Sequence, residues 1–186
     1  MAFQQFSKLY AGHASQQTPA TQEAFDKYAP LLPAPLLEFW KDAGWCQYRE
    51  GQLWVVNPDQ FEDLMPFWFE EEVPAFVFAR TAFADLFLWM DETVFFLDVQ
   101  TGELTELDND LERFFNTFFT DQGIVRSAFR SRLFQQVRKK LPPPLFDECY
   151  AFVPALALGG SEKAEQVELV KIREYLLLLA QLAGDA

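Results

Sequence analysis

The stretch from residue 31 to residue 58, LLPAPLLEFWKDAGWCQYREGQLWVVNP, constrains the fold of this chain more than any other. Apolar side chains recur at helical spacing over residues 36–43, with prolines before them and Gly44 after them. Residues 45–55 then predict two short strands joined around Glu50-Gly51. Three tryptophans lie within fifteen residues, and each aromatic ring removes roughly 150–250 Å² from water when buried. The segment therefore predicts a helix followed by a hairpin at the centre of a hydrophobic core.

The hydrophobic period changes in the middle of the chain. Between Val73 and Leu107 apolar residues follow a period of two instead of recurring every three or four positions. Turn-forming residues divide this region, among them Thr101-Gly102, which suits a short hairpin turn. We therefore predict an antiparallel meander of four strands. Residues 94–99 should form a central strand covered by helices, because both of its faces carry apolar side chains. The predicted strands are residues 75–80, 86–90, 94–99 and 103–107.

Helical patterns surround the meander. The first two are separated by a polar linker, Gly12–Ala20. After the hairpin, Asn57-Pro58 suits a helix start, and an apolar stripe from Phe61 to Trp68 follows until Pro66 kinks or ends the helix. A later helix is expected to be capped by Asp108 or Asn109. The predicted helices cover residues 3–10, 21–28, a segment from 58 onward, 108–120, 126–140 and 175–182, with strands over 149–158 and 167–172.

These patterns predict an α+β fold, in which an antiparallel β-meander sheet packs with helices and a helical C-terminal half adds a short strand pair. A chain of 186 residues can bury a sizeable core without metals or disulfides. Charges interrupt every apolar run before it reaches the ~18–20 residues of a membrane span. The two cysteines are far apart and the first residues do not resemble a secretory signal, so we expect a cytoplasmic protein.

The formal charge of −13 is unevenly distributed. Residues 50–112 contain sixteen acidic residues and one basic residue, Arg80, whereas residues 113–140 contain seven basic residues and one acid, Asp121. An acidic middle repels nucleic acid and attracts a basic protein surface, although acidity also serves solubility. We interpret the basic segment 126–140, whose arginines and lysines are expected to point largely outward, as a counter-charge to the meander or as part of a protein interface.

Few residues suit catalysis or metal binding. His13 is the one histidine and lies in the polar linker, where we expect it to face solvent. Two cysteines and one histidine are too few for the common zinc sites, and no calcium-loop pattern occurs. Gly159-Gly160-Ser161 lacks the lysine and the spacing of a phosphate loop, so it predicts a structural turn. We therefore expect a protein without catalytic residues, metal or cofactor.

Two segments resemble a known family. LLPAPLLEFWKDAGWCQYREGQLWVVNPDQFEDLM resembles the GAD-like domain of bacterial immunity proteins, in which a Leu-Pro, helix, Phe-Trp, Gly-Trp, hairpin, Asn-Pro order recurs. ECYAFVPALALGGSEKAEQVELVKIREYLLLLAQL resembles the C-terminal module that follows it in immunity proteins paired with type VI secretion DNase effectors. The resemblance implies a GAD-like domain over residues 1–108 and an immunity-type module over residues 109–186, packed closely together.

The resemblance also implies a function. It describes a non-enzymatic cytoplasmic protein that neutralises a cognate toxin effector, a basic DNase, by stoichiometric protein–protein binding. The family motif supplies core residues rather than contact residues, so we predict the contact residues from charge. An acidic inhibitor can compete with DNA for the basic surface of a nuclease. The predicted partner-binding residues are Glu70, Glu71, Glu72, Asp91, Glu92, Glu103, Glu106, Asp108 and Asp110.

Two other functions remain open at the level of sequence. In a small-molecule or regulatory binding module, Trp40, Trp45, Trp54 and Trp68 would line a pocket rather than fill a core. A hydrolase using Asp and Glu would need two carboxylates with separated pKa values in one cleft, and the sequence favours no such pair.

Overall fold

The computed structural model describes residues 2–69 and 73–184, and within them nine strands and seven α-helices form. Seven strands make one antiparallel sheet whose spatial order is their order along the chain, and the last two pair separately. The α+β class and the meander are thereby confirmed. The strands are β1 (Ala14–Thr18), β2 (Trp45–Tyr48), β3 (Leu53–Val55), β4 (Phe76–Thr81), β5 (Leu86–Met90), β6 (Thr93–Asp98), β7 (Glu103–Asp108), β8 (Glu148–Phe152) and β9 (Val167–Lys171).

The helices precede, interrupt and follow this sheet. Three lie in the N-terminal part and four follow β7, as predicted for a helical C-terminal half. None of the described helices is long and apolar enough to cross a membrane. The helices are α1 (Gln4–Tyr10), α2 (Gln22–Tyr28), α3 (Ala34–Ala43), α4 (Leu111–Thr117), α5 (Gln122–Ala128), α6 (Ser131–Val137) and α7 (Ile172–Gly184).

The large sheet carries an apolar core on each face, because alternate residues of a strand point to opposite sides. In β5, Phe87 joins the first core and Leu88 joins the second. The first core packs the sheet against helices α1 to α5, and the second packs it against residues 56–69, β8 and α7. β6 pairs on both sides and contributes to both cores, so the prediction of a covered interior strand is confirmed.

The helix and hairpin predicted in the 31–58 segment are present as α3, β2 and β3. Trp40 and Trp45 are buried in the first core, with ring centroids 5.7 Å apart, and Trp54 is buried in the second. Gly44 ends α3 with a φ of 64°, and a Cβ at this position would collide with the backbone of Thr18. The segment therefore connects one core to the other, and its glycine is required by close approach of β1.

The polar linker between the first two helices contains a strand that the sequence did not indicate. β1 pairs antiparallel with β2, its five residues are all exposed, and its register is irregular between Ser15 and Thr18. Gln16 has a φ of 49°. A strand at a sheet edge needs one partner strand and no buried side chains. The segment therefore lacks the apolar alternation that predicts a strand, and Thr18 is its one β-branched residue.

The predicted helix after Pro58 is wrong. Residues 58–60 and 65–67 form 3₁₀ turns instead, the first capped by the Asn57 side chain, which accepts a hydrogen bond from the backbone N–H of Asp59. Phe61, Leu64 and Met65 are buried nonetheless. Successive short turns present residues three or four apart on one side, as an α-helix does. The hydrophobic stripe was therefore informative about burial and not about helix type.

The single helix predicted over residues 126–140 is also wrong. α5 ends at Ala128 and α6 begins at Ser131, because Arg130 adopts a φ of 46°. Arg130 was expected to point outward, and its side chain is only 12% exposed. Chain reversal at Arg130 turns α6 away from α5 and brings the guanidinium inward.

At the C-terminus, α7 begins at Ile172, directly after β9 and three residues before the predicted start.

Arg130 is bound by three carboxylates. Its guanidinium donates to Asp85 at 2.7 Å, to Asp98 at 2.9 Å and to Glu162 at 2.9 Å. Asp85 is fully buried and also accepts a hydrogen bond from the Thr81 hydroxyl at 2.9 Å. This cluster joins the turns after β4 and β6 to the start of α6 and to the loop before β9. The interpretation of the basic segment as a counter-charge to the meander is confirmed for this residue.

A second arginine is buried without a carboxylate partner among the described residues. Arg80, the one basic residue of the acidic middle, is fully buried and stacks 4.4 Å from the ring of Trp54. Its guanidinium donates to the carbonyl oxygens of Leu145 at 3.4 Å and Phe146 at 3.2 Å. Burial lowers the pKa of Arg80 to about 10. The contact fastens β4 to the segment that leads into β8, with the aromatic ring and carbonyl dipoles replacing a counter-ion.

Substituting Arg130→Met should destabilise the fold by about 3–5 kcal/mol, because Asp85 would remain buried without its cation. Arg132→Met is the matched control, since Arg132 lies two residues away in α6 and is exposed, and should change stability by less than about 0.5 kcal/mol. Urea unfolding at about pH 8, where Asp85 is ionised in the native chain, measures both values. A loss below about 1 kcal/mol for Arg130→Met would show that the Arg130–Asp85 pair contributes no more to stability than a solvent-exposed ion pair.

The buried carboxyl predicts a pH dependence. Burial raises the pKa of Asp85 to about 7, with Arg130 opposing part of the rise. An unfolded aspartate titrates near ~3.9, so between about pH 4 and pH 7 the folded chain holds a proton that the unfolded chain has released. The stability due to this group is therefore complete below about pH 4 and lost as the pH rises to about 7. Relative to Asp85→Asn, whose amide does not titrate, the native chain should lose unfolding free energy across this window. Parallel curves for the two proteins would contradict the assignment.

Candidate functional site

The residues that could have supported catalysis are dispersed. Cys46 and Cys149 are buried free thiols in different cores, and burial raises the pKa of both, that of Cys149 to about 12. His13 is exposed between α1 and β1, as predicted. Within residues 2–69 and 73–184, no group of three or more His, Cys, Asp or Glu side chains is placed to hold a metal ion. Burial therefore disfavours the reactive thiolate form of both cysteines.

The four tryptophans of the ligand-binding alternative do not share a pocket wall. Trp40 and Trp45 lie in the first core. Trp54 lies in the second core, and the partly buried Trp68 packs against that core. The sheet separates the two pairs. Trp40, Trp45 and Trp54 are each at most 4% exposed. The tryptophans therefore fill two cores and do not line a pocket for a small molecule.

Four of the predicted acidic residues meet at one end of the large sheet. Asp91 and Glu92 form the turn between β5 and β6, with φ values of 49° and 55°, and both are exposed. Val94 pairs with Asp108 across β6 and β7, which brings the end of β7 and the following Asp110 to the same end of the sheet. Sheet register thus unites residues that are almost twenty positions apart in sequence.

The other predicted acids lie elsewhere. Glu70, Glu71 and Glu72 are outside the described residues. Glu103 pairs with Asp98 at the opposite end of β7, about 16 Å from Asp108 at ~3.3 Å per residue. Glu106 lies between them and points to the other face of the sheet from Glu103, because the two positions differ by an odd number. Both are exposed. The predicted set therefore does not form one patch within the described residues.

Asp108 and Asp110 are engaged within the chain. The Arg113 guanidinium donates two hydrogen bonds to Asp108, of 3.0 and 2.5 Å, and this contact lowers the pKa of that carboxyl. Asp110 caps α4 by accepting a hydrogen bond from the backbone N–H of Arg113 at 3.0 Å. The cap is thus Asp110, and the prediction of Asp108 or Asn109 is wrong by one or two positions. These two acids shape the site, while Asp91 and Glu92 make no ion pair within the described residues.

Beside these acids the surface forms an open groove with a volume of about 740 Å³. One wall is the entrance of α3, the second is the end of the β5–β6 hairpin, and the third is the first turn of α4. We call it the acidic groove and define it by its lining residues, which are 30–33, Pro35, Trp89, Glu92 and 109–113. Glu92, Asp110 and Glu112 provide its negative charge, and Arg113, held by Asp108, provides its positive charge.

Of the groove residues, sequence reasoning predicted only Glu92 and Asp110 as contacts, and three of those it missed matter most for binding. Glu112 follows the capping residue of α4 and is exposed. Leu31 is 44% exposed, although it begins the segment that we expected to be the core. Trp89 is half-buried at the edge of the first core. A charge count could have included Glu112, but the exposure of Leu31 and Trp89 depends on how α3 meets the sheet.

Three of the six basic side chains in residues 126–140 form ion pairs, and the other three form none within the described residues. Besides Arg130, Arg138 pairs with Glu50 at 3.3 Å and Lys140 pairs with Glu165 at 2.6 Å. Arg126 lines a smaller polar groove of about 570 Å³ with Arg49 at the opposite end of the strands. Pairing within the chain consumes much of the positive charge that could attract a nucleic acid phosphate.

Comparison with known proteins places this architecture in a family. The GAD-like domain matches residues 2–102, more than half of the chain. The chain belongs to the GAD-like family. In this GAD-like protein, residues 108–183 match the C-terminal region of type VI secretion system (T6SS) immunity protein Tdi1. The two matches support an immunity role in type VI secretion.

Structural similarity supports the fold of this GAD-like protein. The crystal structure of Atu4351 from Agrobacterium tumefaciens superposes with a TM-score of 0.78, covering 96% of this chain and 88% of that one. The sequences are 14% identical, so the similarity concerns the fold alone. A search of curated proteins gave no match.

Two substitutions separate the structural role of Asp110 from its charge. Asp110→Ala should destabilise the chain by about 1 kcal/mol, because the first turn of α4 loses its cap. Asp110→Asn removes the same charge but keeps a capping oxygen, so its stability should stay within about 0.5 kcal/mol of the native chain. Chemical denaturation measures both. Equal losses in the two variants would show that the charge, rather than the cap, stabilises α4.

Proposed function

We propose that this protein binds a cognate T6SS toxin effector in the cytoplasm, and that the toxin is a nuclease which it neutralises by stoichiometric binding. The immunity role rests on the family matches over residues 2–102 and 108–183. The nuclease class and the cellular location are our proposals. The supporting observation is the uncompensated acidic charge at the end of the sheet that carries the acidic groove.

The charge argument depends on pairing. Asp91, Glu92 and Glu112 are exposed, and none of them forms an ion pair with another described residue. Their field is therefore available to a partner. A nuclease presents basic surface to the phosphate backbone, and an acidic inhibitor can steer to that surface and occupy it. The net charge of −13 makes direct nucleic acid binding by this chain unfavourable.

No turnover is required for this role. The dispersed thiols and histidine and the filled aromatic cores fit a protein that acts by occupancy, without catalytic residues or a cofactor. Glu103, Glu106, Asp108 and Asp110 remain proposed contacts, as do Glu70, Glu71 and Glu72, with Asp91 and Glu92 carrying most weight because they are unpaired and belong to the clustered end of the sheet.

The deciding experiment is capture of the partner from the native cytoplasm. Tagged protein should retain a basic nuclease at one-to-one stoichiometry through low-salt and high-salt washes, and the purified pair should show no nuclease activity. If the chain is recovered alone from cells shown to make a candidate toxin, it does not confer immunity to that toxin. A retained toxin of another activity would keep the immunity role and overturn the nuclease assignment.

Charge reversal at two acids of the groove and at the adjacent Asp91 tests the electrostatic argument. The triple substitution Asp91→Lys, Glu92→Lys and Glu112→Lys should slow association with the captured toxin by about tenfold or more and flatten its salt dependence, because steering charge affects the association rate. The control reverses Glu23, Glu168 and Glu174, which are exposed acids outside the groove. Stopped-flow association at several ionic strengths measures both. An equal effect of the control would mean that net charge, and not this surface, steers the toxin.

A further inference from the structure

We propose that the acidic groove is the docking site for a toxin segment that carries one apolar side chain flanked by arginine or lysine. This inference rests on the proposed function and adds the mode of recognition. The apolar side chain would sit against Leu31 and Trp89, and the cations would meet Glu92, Asp110 and Glu112. Charge alone suggests a diffuse encounter, whereas the groove provides a defined place for an anchor.

The floor of the groove is apolar surface left open at the rim of the first core. Leu31 is 44% exposed, while its neighbour Leu32 is only 6% exposed. Leu111, on the opposite wall, is 3% exposed, and the half-buried Trp89 packs against the same core. A side chain placed here would continue a packed core outward. Interface anchors gain most from such pockets, where burial on the partner side completes an existing apolar cluster.

The walls of the groove are held before any partner arrives. Three prolines, at positions 30, 33 and 35, restrict the backbone at the entrance of α3. The first turn of α4 is fixed by the Asp110 cap and by the contact of Arg113 with Asp108. The remaining wall is the two-residue turn of the β5–β6 hairpin. A preformed site avoids much of the ordering cost that binding otherwise imposes.

The rim selects the chemistry of the occupant. Glu92 and Glu112 make no ion pair with the described residues, and the one lining cation, Arg113, is occupied by Asp108 at 2.5 Å and by Asn109 at 3.1 Å. An occupant of the groove therefore finds carboxylates free to accept hydrogen bonds from a cation, whereas the Arg113 guanidinium already donates to Asp108 and Asn109. A second copy of this chain would bring another charge of −13 to the same surface. A basic segment of a nuclease satisfies both the charge and the apolar floor.

Anchor and charge predict different kinetics. A buried apolar contact forms after encounter and governs dissociation, whereas rim charges govern association and its salt dependence. Leu31→Ser should therefore accelerate dissociation of the captured toxin by about tenfold. Its association rate should stay within about twofold, and the salt dependence of association should not change. Leu31→Met, which keeps the apolar contact, should restore slow dissociation.

The probe is the toxin recovered in the capture experiment, and the method is surface plasmon resonance at low and high salt. Leu158→Ser is the matched control, because Leu158 is 57% exposed and lies outside the groove. Trp89→Phe is a second variant, and urea unfolding confirms that each protein is folded. If Leu31→Ser and Trp89→Phe bind as the native chain does while charge reversal weakens binding, no apolar side chain docks in the groove, so this inference fails and the proposed function stands. If no toxin is retained by the native chain, the proposed function itself fails.

Discussion

The guanidinium of Arg130 holds together parts of the chain that lie far apart in sequence. Asp85 immediately precedes β5 and Asp98 ends β6, within the region matched by the GAD-like domain. Arg130 and Glu162 lie in the region matched by the Tdi1 C-terminal family. Removing the cation would leave a fully buried carboxylate, which is among the costliest defects in a protein interior. The break between α5 and α6 follows from the same contact, because a continuous helix would carry Arg130 elsewhere. The two matched regions thus depend on each other energetically. The domain boundary near residue 108 remains a prediction, and helices α4 and α5 on its C-terminal side fill the first core together with α1 to α3.

The sheet is covered on both faces, so its remaining liability is its two edges. β1 is polar, fully exposed and irregular in register, with Gln16 at positive φ. β7 carries Glu103 and Glu106 as exposed acids. Irregular backbone and charge are the two usual means by which an edge strand avoids pairing with another chain. Some acidity on β7 is therefore explained by the fold, which is why the surface proposed to bind a partner is the groove end of the sheet and not β7 as a whole.

Much of the fold could be predicted because local pattern and burial agree along most of the chain. Alternation over residues 75–107 specified four strands within one or two residues, and the aromatic segment specified α3 and its hairpin. The failures occur where one pattern serves two structures. Phe61, Leu64 and Met65 have the spacing of an α-helix but lie in a run of short turns from the 3₁₀ turn at residues 58–60 to the one at residues 65–67. Strand β1 forms only because β2 offers it backbone partners. The reversal at Arg130 depends on Asp85 and Asp98, which are more than thirty residues away in sequence. No local pattern carries that information.

The candidate surface was harder to predict than the fold, because an acid contributes to a surface only if the chain leaves it unpaired. The count of acids over residues 50–112 included Asp85 and Asp98 together with the predicted contacts Asp91 and Asp108. The structure shows Asp85 and Asp98 consumed by Arg130 and Asp108 by Arg113. What remains is set by register, which brings the turn at Asp91-Glu92 beside the first turn of α4 and its Glu112. The same register leaves Leu31 and Trp89 open between them. The acidic middle of the sequence thus divides into charge that stabilises the fold and charge that faces outward, and only the second part lies next to apolar surface that a partner can bury.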